Sequence, residues 1–182
     1  MFIYRLHTHE PVASWGREKN CEIFALLHVK ETGFALALTH EGMYAFDTDI
    51  SISESALIEH QIFIPKSGPL DVNEGVVVPV AGNIREPEVW VCSRTGHRLT
   101  ILHPKKFSII DEVHTGELED KARVVRHMHT MLANGQSFLV IANRHLIERW
   151  DVELRQKKDE FDMIVHYKEF YGDDSKFCTS CV

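Results

Sequence analysis

The sequence predicts an all-β chain: a partial β-propeller of about three four-stranded units plus part of a fourth, followed by a short C-terminal helix. Three observations predict it. A strand–turn–strand unit recurs, as "GFALALTHEGMYAFD" from Gly33, "EVWVCSRTGHRLTIL" from Glu88 and "SFLVIANRHLIERWD" from Ser137. Its equivalent strand starts, Phe34, Glu88 and Ser137, lie 54 and 49 residues apart, close to the period of kelch-type blades and slightly long for WD-type ones. Each unit is also flanked by further short apolar runs rich in β-branched and aromatic residues, which favour strands.

The elements follow in order. "MFIYRLHTH", within residues 1–15, is left over as the tail of a preceding unit. The first unit (21–64) takes "CEIFALLHV", the hairpin Phe34–Thr39 and Met43–Asp47 around His40-Glu41-Gly42, and "SALIEHQIFI". The second (76–113) takes "GVVVPVAG", the hairpin Val89–Cys92 and His97–Leu102 around Arg94-Thr95-Gly96, and "KFSIIDEV". The third (122–154) takes "KARVVRHMHTML" and the hairpin Phe138–Ile141 and Leu146–Asp151 around Asn143-Arg144-His145, with "FDMIVHY" further on as a possible last strand. Trp150-Asp151 then ends a third strand, where WD40-like blades often carry that pair. Asp47 takes the matching place in the first unit, and the second has "LHP" there. Residues 1–154 therefore read as an incomplete WD40-like propeller. Residues 155–182 read as a charged tail, helical from near Arg155 on the spacing of Leu154, Phe161, Ile164 and Phe170, with a flexible end. A β-sandwich of similar strand count is the competing arrangement.

An open arc of this kind exposes strand edges and an apolar face, so the chain is expected to be a segment of a longer propeller or to associate with a second copy. With 182 residues, 44% of them hydrophobic, a core is within reach. The net charge of −7 argues against nucleic acid, which needs clustered Lys and Arg. No apolar run is long enough to span a bilayer, and the opening has no secretory cleavage pattern. Four cysteines, unevenly spread, point to a reducing, cytoplasmic setting.

The stretches "VWVCSRTGHRLTILHPKKFSIIDEV" (89–113), "KARVVRHMHTM" (121–131) and "FLVIANRHLIERWDVELRQKKDEFDMIVHYKEF" (138–170) resemble the C-terminal WD-repeat domain of Roco-type leucine-rich-repeat protein kinases. The resemblance covers the last half of the chain by residue and the first half by pattern only. It implies a parent with a GTPase module and a serine/threonine kinase, using GTP and ATP, whose propeller mediates self-association and contacts with cytoskeletal or vesicle-associated partners. No catalytic motif of such a parent is in this chain: there is no Gly-rich phosphate loop and no D-F-G, and His97-Arg98-Leu99 lacks the Asp of H-R-D.

The expected function is thus non-catalytic protein interaction, without a cofactor. Candidate contact residues sit in two polar inter-strand loops: Arg85, Glu86 and Glu88 in "GNIREPE", and Glu117, Glu119 and Asp120 in "TGELEDK". Trp90, Trp150, Asp151 and Asp47 are expected to be structural, with Trp15 and the other tryptophans packing between blades. The end, with Ser180 two places before Val182, fits carboxylate docking into a PDZ-type groove. Cys178 and Cys181 lack the second pair that a zinc site needs. Carboxylates such as Glu22, Glu86 and Glu88 are not paired by any motif. The alternative function is a small β-domain that binds a metal or small ligand through histidines, with His7 and His9, and His127 and His129, each sharing a strand face. An enzyme of an unrecognised family is the third reading.

Overall fold

The computed structural model describes residues 2–4, 11–14, 23–39, 42–47, 59–63, 72–93, 98–106, 108–115, 125, 127–143 and 145–165. Its strands form a short hairpin, β1 (Phe2–Tyr4) with β2 (Pro11–Ser14), and three four-stranded antiparallel sheets. The first sheet is β3 (Ile23–Val29), β4 (Phe34–Thr39), β5 (Gly42–Asp47) and β6 (Glu59–Phe63). The second is β7 (Val72–Val78), β8 (Glu88–Ser93), β9 (Arg98–His103) and β10 (Ser108–His114). The third is β11 (His127–Ala133), β12 (Gln136–Ala142), β13 (Leu146–Asp151) and β14 (Gln156–Asp162). Each sheet is a plain meander, with strands paired in chain order.

Local chemistry sets the turns. Asn134 and Gly135 both have positive φ (53° and 77°) and join β11 to β12 as a two-residue hairpin, the conformation an Asn-Gly pair favours. In the β3–β4 turn the Thr32 hydroxyl donates to the Val29 carbonyl, and the Phe34 N–H donates back to Thr32 Oγ1.

The sheets stack side by side through their first strands: β7 packs against β3 and β4 on one side and against β11 on the other. The second sheet is consequently buried on both faces, and its alternation separates two cores. Val89, Val91 and Leu102 join Val29, Leu36, Leu38, Met43 and Ala45 of the first sheet. Trp90, Cys92, Leu99 and Ile101 join Met128, Leu139, Ile141 and Trp150 of the third. A third cluster, Ala37, Tyr44 and Phe46, is buried on the far face of the first sheet.

The tail departs from the sequence reading. Residues 156–162 are the fourth strand of the third sheet, and only 163–165 make a helical turn; 166–182 lie outside the described residues. Two physical reasons decide this. A strand here pairs the outer backbone groups of β13, from Leu146↔Asp162 to Asp151↔Gln156, which a helix would leave unbonded. Within the expected helical stripe, Leu154 and Phe161 are also both exposed, so neither contributes buried surface. The third sheet therefore extends to Asp162 rather than ending at 154. No helix among the described residues is long and apolar enough to cross a membrane.

Candidate functional site

Two Glu-x-Trp pairs mark the junction of the second and third sheets. Residues two apart share a strand face, so each Glu lies beside its indole. Trp90 Nε1 donates to Glu88 Oε2 at 2.9 Å, and Trp150 Nε1 donates to Glu148 Oε2 at 3.0 Å. Both indoles are buried, and a buried indole N–H without an acceptor would cost stability. Lys157 Nζ stands 4.0 Å from Glu148 Oε1 and 2.7 Å from Glu160 Oε2.

The β13–β14 turn clasps the second sheet. Arg155, in left-handed backbone conformation (φ 54°), donates through Nη1 to Asp111 Oδ2 at 2.7 Å and through Nη2 to Glu88 Oε1 at 3.0 Å. Partial burial works against the guanidinium's charge, but Asp111 and Glu88 outweigh it and raise its pKa. The same Arg155 hydrogen bond, helped by the Glu112 N–H, holds the Asp111 carboxyl below its ordinary value. Next to it, Glu153 accepts from the Asn83 backbone N–H at 3.2 Å and from Asn83 Nδ2 at 2.8 Å. Gly82 makes this approach possible: a Cβ there would stand 1.8 Å from Glu153 Oε1, at φ +58°.

Above the clasp lies an open groove of about 510 Å³. Ile84, Pro87 and Val152 are its buried apolar lining, while Arg85, Glu86 and Ile110 reach solvent. His103 stands in its wall with Nε2 2.6 Å from Glu86 Oε2, while Nδ1 accepts from the N–H groups of Lys105 (3.1 Å) and Lys106 (3.3 Å). This is the position that Asp151 fills in the third sheet, where its Oδ1 accepts from the Leu154 N–H at 3.0 Å. The histidine thus takes over the aspartate's turn-capping role. Because both ring nitrogens are engaged, His103 offers no free base to a substrate.

The sequence-predicted residues fall as follows. Arg85 and Glu86 line the groove and are exposed; Glu88 is 13% exposed at its side chain and bonded to Trp90 and Arg155. Glu117, Glu119, Asp120, Ser180, Val182, Cys178, Cys181, Glu22, His7, His9 and Trp15 lie outside the described residues. Trp90, Trp150 and Asp151 are buried, and Asp151 Oδ2 also accepts from Gln136 Nε2 at 2.7 Å. Asp47 ends β5 opposite Phe34, as Asp151 ends β13 opposite Phe138. His127 and His129 stack on an exposed face, with ring centroids 6.4 Å apart, and no group of three potential metal ligands occurs among the described residues. Sequence reasoning passed over Asn83, His103, Glu148, Glu153 and Arg155. The repeated Glu-x-Trp spacing could have revealed Glu148; for Arg155 and Asn83, whose partners lie 44 to 70 residues away, no local signal exists.

No family model matches the chain, and no curated protein matches its sequence. Solved structures do resemble it in fold. Apo AztD from Citrobacter koseri superposes with a TM-score of 0.50 at 16% identity, covering 85% of this chain and 38% of that one. Hsv2 from Kluyvelomyces marxianus superposes at 0.46 with 8% identity, covering 79% of this chain and 40% of that one. Both are β-propeller-type folds, and the chain spans about two fifths of the length of each. The likeness to AztD, with the stacked meanders, shows an all-β fold of propeller type.

Proposed function

We propose that this chain is a non-catalytic β-propeller segment serving as a protein-interaction platform, with the groove between the second and third sheets as its contact site. The observation that carries the reading is the groove itself. Exposed Arg85, Glu86 and Ile110 stand over a base fixed by Trp90–Glu88–Arg155–Asp111 and Asn83–Glu153, so the surface is preorganised from both sheets. The finer proposal is a cytoplasmic, Roco-type parent with kinase and GTPase modules, supported by residues 89–113, 121–131 and 138–170. Self-association belongs to the same proposal. It is supported by β10 and β14, each of which ends its sheet, and by Met131 and Phe161, exposed on the third sheet.

Sedimentation velocity over a concentration series, with cross-linking mass spectrometry on the same samples, tests this reading. Concentration-dependent dimers cross-linked through Lys105, Lys106 or Lys157 support self-association. A monomer at every concentration, with no partner protecting residues 82–88 in hydrogen exchange, contradicts the reading.

A further inference from the structure

We infer that the groove takes an extended peptide of a partner protein, with a lysine or arginine against Glu86 and an apolar side chain against Ile84, Ile110 and Val152, lying along the outer edge of β10. This rests on the interaction-platform reading above and names the partner's chemistry.

The strand edge is the first reason. β10 is the last strand of its sheet, and its pairing with β9 breaks register between Ile109 and Asp111. At that break Ile109 and Ile110 are 42% and 40% exposed. The outer strand of the third sheet is different: Lys157, Lys158, Asp159 and Glu160 run consecutively and exposed along β14, the usual protection of an edge against strand addition. On β10 charged Asp111 and Glu112 follow, but beside the groove the edge presents Ile110, with Ile109 next to it. An extended peptide added there would gain main-chain bonds for affinity and side-chain pockets for specificity.

Charge selects the side chain. The groove carries Glu86, Glu88 and Glu153, with Asp111 beside it, against Arg85 and Arg155. Arg155 is already bound to Glu88 and Asp111, and Glu153 is held by the neutral amide of Asn83. Of the carboxylates in the lining, Glu86 is the one turned to solvent, with its side chain 62% exposed even though Oε2 meets His103 Nε2 at 2.6 Å. The lining thus holds three carboxylates to two guanidiniums, in a chain of net charge −7, and this excess favours a cationic side chain over an anionic one. Lys105 and Lys106 lie outside the lining, on the turn that His103 caps.

The test uses the full chain and two fluorescein-labelled peptides of equal length, one alternating Val and Lys, the other Val and Glu, followed by fluorescence anisotropy. The Val-Lys peptide is expected to bind saturably and the Val-Glu peptide not at all. Glu86→Lys should weaken binding about tenfold or more, since it places like charges together, and Ile110→Asp should remove it. Glu160→Lys, the same charge change on β14, should leave binding unchanged and so separates the groove from general charge attraction. Urea midpoints confirm that each variant folds. Equal binding of both peptides, or binding that survives Glu86→Lys and Ile110→Asp, overturns the inference. So does failure of both peptides to bind; if cross-links between copies still form through Lys105 or Lys106, the platform reading stands and its occupant is a second copy.

Discussion

Where the first sheet meets the second, Val29, Leu36, Leu38, Met43 and Ala45 mesh with Val89, Val91 and Leu102, and Gly75 lets the two sheets approach. Where the second meets the third, a comparable apolar cluster holds two indoles, each bonded to a glutamate of its own strand. That junction is crossed by an arginine shared between two carboxylates and a bidentate glutamate–asparagine contact. Apolar packing is non-directional, so it holds two sheets together and tolerates small slips. Hydrogen bonds and ion pairs have fixed geometry, so they set how the third sheet sits on the second. The groove lies at this second junction, where a contact surface made from two sheets needs a fixed geometry.

The largest break in this comparison should come from the indoles. Trp90→Ala removes a fully buried side chain and the indole donor of Glu88 Oε2, leaving Glu88 with Arg155 alone; a loss of about 3–5 kcal/mol in urea unfolding is expected. Gly75→Ala probes the other junction. Its Cβ would stand 2.5 Å from Leu38 Cδ1, and the overpacking should cost about 1–3 kcal/mol without altering the groove. His103→Leu should cost about 1 kcal/mol by leaving two turn N–H groups uncapped, while His103→Asp, which copies Asp151, should cost less.

Acid sharpens the contrast. Arg155 holds the Asp111 carboxyl low, so this pair's contribution is present above about pH 4, the unfolded value of Asp. It is lost as pH falls through the lower folded value. Unfolding midpoints of wild type and Arg155→Met should therefore differ at neutral pH and converge below that window, by a small amount because Asp111 is largely exposed. Glu74, on β7, gives the smallest effect, with opposite sign. Burial raises its pKa, with His127 pulling it down, so the folded state resists ionisation and stability falls as pH climbs through the raised value. Glu74→Gln should be slightly more stable than wild type at neutral pH and indistinguishable from it well below pH 4.5.

Much of this architecture was legible in the residues. The three hairpins emerge because each pairs an apolar run with a tight polar turn, and β4–β5, β8–β9 and β12–β13 lie where the recurring unit places them. Asn134-Gly135 announces its turn by itself. β14 was not legible, since "QKKDEFD" has neither alternation nor β-branched residues, and its strand conformation comes from the free edge of β13. The site was legible only in part. Polar loop composition points to Arg85 and Glu86, but it cannot distinguish an exposed carboxylate such as Glu86 from Glu88, which Trp90 and Arg155 claim. Such pairings arise between sheets, across separations of up to 70 residues, so no local pattern carries them.

A double-mutant cycle on Glu88 and Arg155 tests the directional junction most directly. Urea unfolding of Glu88→Gln, Arg155→Met and the double variant should give a coupling of about 1 kcal/mol or more that shrinks in high salt. Additivity within about 0.3–0.5 kcal/mol at low salt would mean that this ion pair does not fix the third sheet and that its apolar cluster carries the junction.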